Sequence, residues 1–181
     1  MKERRIFIDP GHGGRDPGAI HPSGKPTEAE ITHGAAAMLG LALRLMGHEV
    51  MYTPAVGLPN SEAIRAGERA RYANHNGGAL FVSIHCNASE SHAGTGTECW
   101  YYSQKSLAAD LSAACSLGLN RNRGAKQSDS LAVLTRTEMP AVLVELAFID
   151  NDKDKNWLLK NWPAQVGAMA AVIHDWMVEQ K

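Results

Sequence analysis

The stretch Ala79-Leu80-Phe81-Val82-Ser83-Ile84-His85-Cys86-Asn87-Ala88 constrains this chain more than any other. It is entered from Asn76-Gly77-Gly78 and runs into a polar cluster without the polar–apolar alternation of a half-wet strand. That pattern predicts a strand buried on both faces, which requires helices on each side of a largely parallel sheet. His85 stands at its exit, and ligands of such sheets bind beyond the carboxyl ends of the strands. Two further runs end in the same way. Arg4-Arg5-Ile6-Phe7-Ile8-Asp9 leads into Pro10-Gly11-His12-Gly13-Gly14, and Ala141-Val142-Leu143-Val144 leads into Glu145. If the three strands lie parallel in one sheet, His12, His85 and Glu145 converge on one edge. Two imidazoles and a carboxylate there point to a metal site with a base beside it.

Between these strands the chain alternates regularly. Thr27 with Glu30 forms a Ser/Thr-x-x-Glu capping box, opening a helix that ends near Gly47 with Ile31, Met38, Leu41 and Leu45 on its apolar stripe. The box occupies Glu30 and leaves Glu28 free, either as a ligand or as a first-turn carboxylate favoured by the helix dipole. A strand follows at residues 49–53, then a helix capped by Ser61 and reaching His75. Beyond the central strand we expect a strand at 97–102, a helix at 106–119, an irregular polar stretch at 120–130 and a short strand at 131–134. Two C-terminal helices are predicted, at 153–160 and 163–179, split at Pro163. The expectation is one α/β domain over residues 1–181, a three-layer fold with a twisted, mixed but mostly parallel sheet of about six strands and helices on both faces. Hairpin-like neighbours are expected at the connections 89–96 and 135–140.

The glycines at 11–18 do not fit a phosphate loop, since no helix-opening Gly-x-Gly-x-x-Gly or Gly-Lys-Ser/Thr is present. They suit a sharp turn around His12, with Asp9 either orienting that imidazole or serving as a turn residue. Eighteen basic against nineteen acidic residues give a net charge of −1. That balance argues against a nucleic-acid or anionic-membrane partner. Cys86, Cys99 and Cys115 are widely spaced and are expected as buried free thiols. No run reaches membrane-spanning length, and the N-terminus shows no apolar leader, so export by the usual signal-peptide route is not expected.

The motifs Ile8-Asp9-Pro10-Gly11-His12-Gly13-Gly14, Glu28, Phe81-Val82-Ser83-Ile84-His85-Cys86-Asn87-Ala88 and Met139-Pro140-Ala141-Val142-Leu143-Val144-Glu145, with Phe148-Ile149 and Asn151, occur in that order. Together they resemble the zinc-dependent N-acetylmuramoyl-L-alanine amidases of the amidase type 3 family over nearly the whole chain. Arg69, Ala73-Asn74 and Asn122-Arg123-Gly124 also match family landmarks. The resemblance implies that His12, Glu28 and His85 hold one Zn2+ per chain and that Glu145 is the catalytic carboxylate. It implies bacterial peptidoglycan as substrate and the amide between N-acetylmuramic acid and L-alanine as the bond cleaved, in a phage endolysin or an autolysin catalytic domain acting on the cell wall. A monomer is expected. Cys86, Ala147 and His33 depart from the usual family residues without removing a ligand.

That chemistry suits those residue types. Zinc with three protein ligands lowers the pKa of water from 15.7 to about 7 and polarises a carbonyl. A carboxylate beside it moves the proton from water to the leaving amine. Arg123, Lys126 and Arg136 are read as solvated surface charges rather than contacts to stem carboxylates, and the remaining histidines as surface or packing residues. A zinc peptidase cutting within the peptide and an inactive wall-binding module are the competing readings. The module is disfavoured because all three ligands and the base are present.

Overall fold

The computed structural model describes residues 5–54, 65–116 and 121–180. Its elements are β1 (Arg5–Pro10), α1 (Glu28–Leu45), β2 (Glu49–Tyr52), α2 (Ala66–Asn76), β3 (Leu80–Asn87), β4 (Thr97–Tyr101), α3 (Lys105–Ser116), β5 (Asn122–Gln127), α4 (Ala132–Thr135), β6 (Ala141–Phe148) and α5 (Asp152–Glu179). The six strands form one sheet in the order β2-β1-β3-β6-β4-β5. β2, β1, β3 and β6 run parallel, β4 lies antiparallel to β6, and β5 runs parallel to β4. From β1 the chain goes to β2 on one side and then to β3 on the other. The crevice between β1 and β3 is therefore the switch point where sheets of this kind place their ligands.

The central strands are apolar throughout because each alternate residue meets a different layer. Ile6, Ile8, Leu80, Val82, Ile84, Val142, Val144 and Leu146 enter the larger core, which α1, α3 and α5 close with residues such as Leu39, Leu111 and Ile173. Phe7, Phe81, Ala141 and Leu143 face a smaller core capped by α2 and α4, through Ala73, Val133 and Leu134. At about 25 cal/mol per Å² of apolar surface, the thicker layer supplies most of the hydrophobic stabilisation. The second layer is thin, since α4 is only four residues long. At the carboxyl end of that face the alternation changes from apolar to polar: Asp9 follows Phe7, and His85 follows Ser83 and Phe81.

Several expectations are corrected. The mixed sheet is present, but neither short connection forms a hairpin: β3 lies between β1 and β6, and the antiparallel partner of β4 is β6. Residues 131–134 belong to a helical turn, not a strand. Ser128 Oγ accepts from the amides of Ser130 and Leu131 at its start, and Val133 and Leu134 are both buried in the smaller core. The polar stretch 122–127 is an edge strand; ladder bonding to β4 overrides its poor intrinsic propensity. β6 continues three residues beyond Glu145. The C-terminal segment is one helix with Pro163 inside it, held on both sides of the lost amide by buried Leu158 and Val166. The Ser61 cap lies outside the described residues, and α2 starts after Arg65.

Candidate metal centre

β1 delivers the chain into a tight loop pinned at successive positions. The Gly11 amide donates to the Ile84 carbonyl (2.8 Å), and the Gly11 carbonyl accepts from Thr32 Oγ1 (2.7 Å). A Cβ at Gly11 would lie 2.4 Å from Cε1 of the His85 ring, so no side chain fits there. His12 adopts φ +63°, a left-handed conformation uncommon for a residue with a Cβ and characteristic of functional sites. Its carbonyl accepts from His33 Nε2 (3.3 Å), which gives His33 a specific role in the loop rather than a generic packing one.

Asp16 orients the His12 ring. Its Oδ2 lies 2.8 Å from His12 Nδ1, and its Oδ1 accepts from the Gly18 amide at 3.0 Å. With Nδ1 engaged by a carboxylate, Nε2 is the nitrogen left to bind an ion, the arrangement by which protein histidines are usually prepared for metals. Asp9 does not perform this task. It is fully buried and accepts from Thr53 Oγ1 (2.6 Å), Ser83 Oγ (2.7 Å) and Arg69 Nη1 (2.8 Å), while the same Arg69 nitrogen donates to the Pro10 carbonyl (3.2 Å). Asp9 and Arg69 thus fix the strand end from which the His12 loop departs.

The capping box holds Glu30 at Thr27, as its spacing predicts, and Glu28 turns inward from the first position of α1 with 3% of its surface exposed. Glu28 Oε1 accepts from the Cys86 amide and from His85 Nδ1, each at 2.9 Å. Its Oε2 accepts from the Ala19 amide (2.9 Å) and faces His12 Nε2 at 3.1 Å. A Cβ on Gly18 would come within 2.6 Å of both Glu28 Oε2 and the His12 ring. Burial by itself would raise the Glu28 carboxyl, but the bonds from His12 and His85 outweigh it and hold the group well below its ordinary range. Burial opposes the charged form of His12, yet Glu28 and Asp16 together push its pKa up to about 9.

One donor atom from each of His12, Glu28 and His85 lies within 4.8 Å of the other two, and among the described residues no other histidine, cysteine or acidic group joins such a cluster. Two imidazole nitrogens and one carboxylate oxygen form the donor set of open zinc sites, in which a fourth position stays available. The tautomer imposed by Asp16 and the buried, twice-donated carboxylate of Glu28 fit that use. The cradle would hold a divalent ion between these three donor atoms.

Glu145 stands beside this cluster because β3 and β6 pair in register at His85 and Glu145. Its Oε2 is enclosed without a hydrogen-bond partner. Burial, and then the nearby charges of Glu28 and Glu98, push its pKa well above the ordinary carboxylate value. All four residues singled out in the sequence therefore meet at one edge. Asp16 and Glu98 were missed. Asp16 is signalled by its place four residues after His12 in a glycine-rich loop. Glu98 is opposite Glu145 in the β4–β6 register, which no local pattern reveals. Arg123 and Lys126 also depart from the solvated role expected of them: Arg123 Nε and Lys126 Nζ each lie 2.5 Å from Glu98 Oε2. Arg136 is exposed, and its carbonyl accepts from Asn74 Nδ2 (2.8 Å).

The chain is similar to known proteins in sequence and in fold. The family model described as N-acetylmuramoyl-L-alanine amidase matches residues 6–173. The chain is 33% identical over 165 residues to the uncharacterized protein YqiI of Bacillus subtilis, covering 87% of this chain and 76% of that one. It is 33% identical to the N-acetylmuramoyl-L-alanine amidase LytC of the same organism, covering 94% of this chain but 34% of LytC. Among solved structures, the catalytic domain of CwlV, an N-acetylmuramoyl-L-alanine amidase from Bacillus (Paenibacillus) polymyxa var. colistinus, is similar with a TM-score of 0.85 and 26% identity, covering 96% of this chain and 98% of that one.

Proposed function

This chain belongs to the N-acetylmuramoyl-L-alanine amidase family, and from that premise we propose that it hydrolyses the amide between N-acetylmuramic acid and the L-alanine of the peptidoglycan stem peptide. In this reading one zinc ion is held by His12, Glu28 and His85, and Glu145 is the catalytic carboxylate. The place of action is the bacterial cell wall.

An ion held there supplies Lewis acidity, which polarises the amide carbonyl and makes water a better nucleophile near neutral pH. The chain's own residues do the rest. Asp16 keeps His12 in the tautomer that presents Nε2. The Ala19 and Cys86 amides hold both Glu28 oxygens in place, so the ligand set is rigid before any substrate arrives. Glu145 removes a proton from the attacking water and returns it to the nitrogen of the departing amine, a base-then-acid role worth roughly 10²–10⁴-fold in rate. The raised proton affinity of Glu145 suits a group that must hold that proton between the two transfers.

The observation that carries this reading is the register pairing of His85 with Glu145, which sets a half-buried carboxylate with one enclosed, unpartnered oxygen beside the His–Glu–His cluster. The test is digestion of purified peptidoglycan by the zinc-loaded protein, followed by identification of new amino termini. Free amino-terminal L-alanine, lost on chelation and regained on adding zinc, is the expected result. A different new terminus would indicate a peptidase, and hydrolysis indifferent to chelation would remove the metal from the account.

A further inference from the structure

Helix α1 carries two apolar faces. Ile31, Ala35, Leu39 and Leu43 enter the larger core. Met38, Leu41 and Leu45, expected from the sequence on the same stripe as Ile31, are turned outward, with 37, 58 and 81% of their surface exposed. With Gly34 they recur at spacings of four, three and four residues, the seam of a helix that packs against another helix. Those three side chains leave roughly 300 Å² of apolar surface open, the size of an entire functional patch on a typical monomer.

Helix α5 extends this face. Trp162 packs beneath Gly34, 3.7 Å from where a Cβ would stand, and His174 Nδ1 meets His48 Nε2 at 2.9 Å just past the end of α1, so the two helices lie side by side and run in the same direction. Ala164, Gly167 and Ala171 are exposed on the outer side of α5. No Asp, Glu, Lys or Arg stands between Glu30 and Arg44, or between Lys160 and Asp175. At 1.5 Å per residue and 8–10 Å between axes, the uncharged face measures about 22 Å by 20 Å. With side-chain relief that is on the order of 600–800 Å² a side, close to the ~800 Å² per partner of a standard interface.

The face complements itself. Its two ends carry mixed charges, Glu30 with Lys160 at one and Arg44 with Asp175 at the other. A second copy, inverted about a two-fold axis that crosses the helices at right angles, sets every acid opposite a base. The same inversion brings Leu45 of each copy over Gly34 of the other, where the missing Cβ leaves a notch floored by the Trp162 ring, and Met38 over Leu41. A helix face that lies on a lipid surface is instead flanked by Lys and Arg, and this rim is balanced.

We propose that α1 and α5 form the interface of a homodimer, each packing antiparallel to its counterpart in a second copy, in place of the monomer expected from the sequence. Such an isologous contact is closed by its own symmetry. Because Glu28 opens α1, the two metal centres come to lie at opposite ends of the helix pair, roughly 35 Å apart along its axis.

Sedimentation velocity of the zinc-loaded protein tests this. The mass should rise with concentration from 19.5 kDa towards twice that value. The midpoint should fall on the order of 1–10 µM, as suits an interface at the smaller end of the standard class. Leu45→Glu, at a site too exposed to matter for the fold of one copy, should weaken association at least about tenfold while leaving the thermal melt of the dilute protein unchanged. Glu30 and Arg44 also bond within their own chain, so Lys160 and Asp175 are the cleaner pair for testing register. Lys160→Glu sets like charges together twice by symmetry and should weaken the dimer about fivefold, and adding Asp175→Lys should restore it to within about twofold. A wild type that stays monomeric at about 100 µM, far above that range, a dimer indifferent to Leu45→Glu, or a Lys160→Glu loss that Asp175→Lys fails to restore would each overturn the proposal. Flotation of a monomer with phosphatidylcholine vesicles would overturn it too, and would assign the face to lipid.

Discussion

Replacing Asp16 with asparagine tests whether the His12 loop is preorganised for a metal. In the native site Asp16 Oδ2 holds His12 Nδ1 at 2.8 Å, and Oδ1 caps the Gly18 amide at 3.0 Å. Asparagine is nearly isosteric and keeps the Gly18 bond, so the loop geometry survives. It removes the negative charge and sets an N–H donor opposite Nδ1, which favours the tautomer with its proton on Nε2, the nitrogen a metal needs. Partners of this type contribute 10–100-fold to metal affinity, or about 1.4–2.8 kcal/mol. The Asp16 side chain is 44% exposed, so solvent screens its charge and the effect should fall at the lower end, about tenfold. Competition for zinc against a chelator of known affinity measures it directly, with the thermal transition of the metal-free variant as a control for folding. A variant that binds zinc as tightly as the wild type would refute the assignment of Asp16. A variant whose metal-free fold collapses would show that the Asp16 charge supports the loop itself and not only the metal site.

Other consequences follow from the same geometry. In the metal-free protein His12 is raised from 6.5 to about 9, so at pH 7 it carries a proton that a metal must displace. Zinc binding should therefore release about one proton at pH 7, measurable by calorimetry in buffers of different ionisation enthalpy, and affinity should climb about tenfold per pH unit between 7 and 9. Without metal the His12 pairing contributes stability that is complete below about 6.5 and fades as pH rises through about 9. The Glu28 pairing, with a lowered pKa, contributes above about 4.5 and is lost in stronger acid. Thermal melts of the metal-free protein should show both trends, and melting that is flat from pH 6.5 to 9.5 would contradict the first. Arg69→Ala should strand the fully buried Asp9 carboxylate at a cost of about 3–5 kcal/mol. For a chain of this size that lowers Tm by roughly 6–20 °C, and a shift below about 3 °C would mean that Thr53 and Ser83 suffice to hold Asp9.

The parts legible in the sequence are those written in local patterns. β1, β3 and β6 announce themselves as apolar runs because helices cover both of their faces, and the polar residues that close those runs locate His12, His85 and Glu145, although β6 itself extends to Phe148. The capping box distinguishes Glu30 from Glu28 by spacing alone. What escaped depends on pairings between distant segments. Asp9 is held by Thr53, Arg69 and Ser83, partners 44, 60 and 74 residues away, so a local reading tied it wrongly to His12. β4 finds its antiparallel partner in β6, not in a neighbour across a short loop. That long-range register sets Glu98 beside Glu145 and draws Arg123 and Lys126 away from solvent. β5 lacks strand-forming residues and exists through its ladder with β4, while residues 131–134 form an apolar run too short for its period to be read.

Glu145→Gln gives the most direct test of the mechanism: zinc content and the rate of amino-terminal L-alanine release from purified peptidoglycan are measured together on the same preparation. The predicted result is about one zinc per chain, as in the wild type, with release slowed roughly 10²–10⁴-fold. Release at the wild-type rate from a fully loaded variant would contradict the role assigned to this carboxylate.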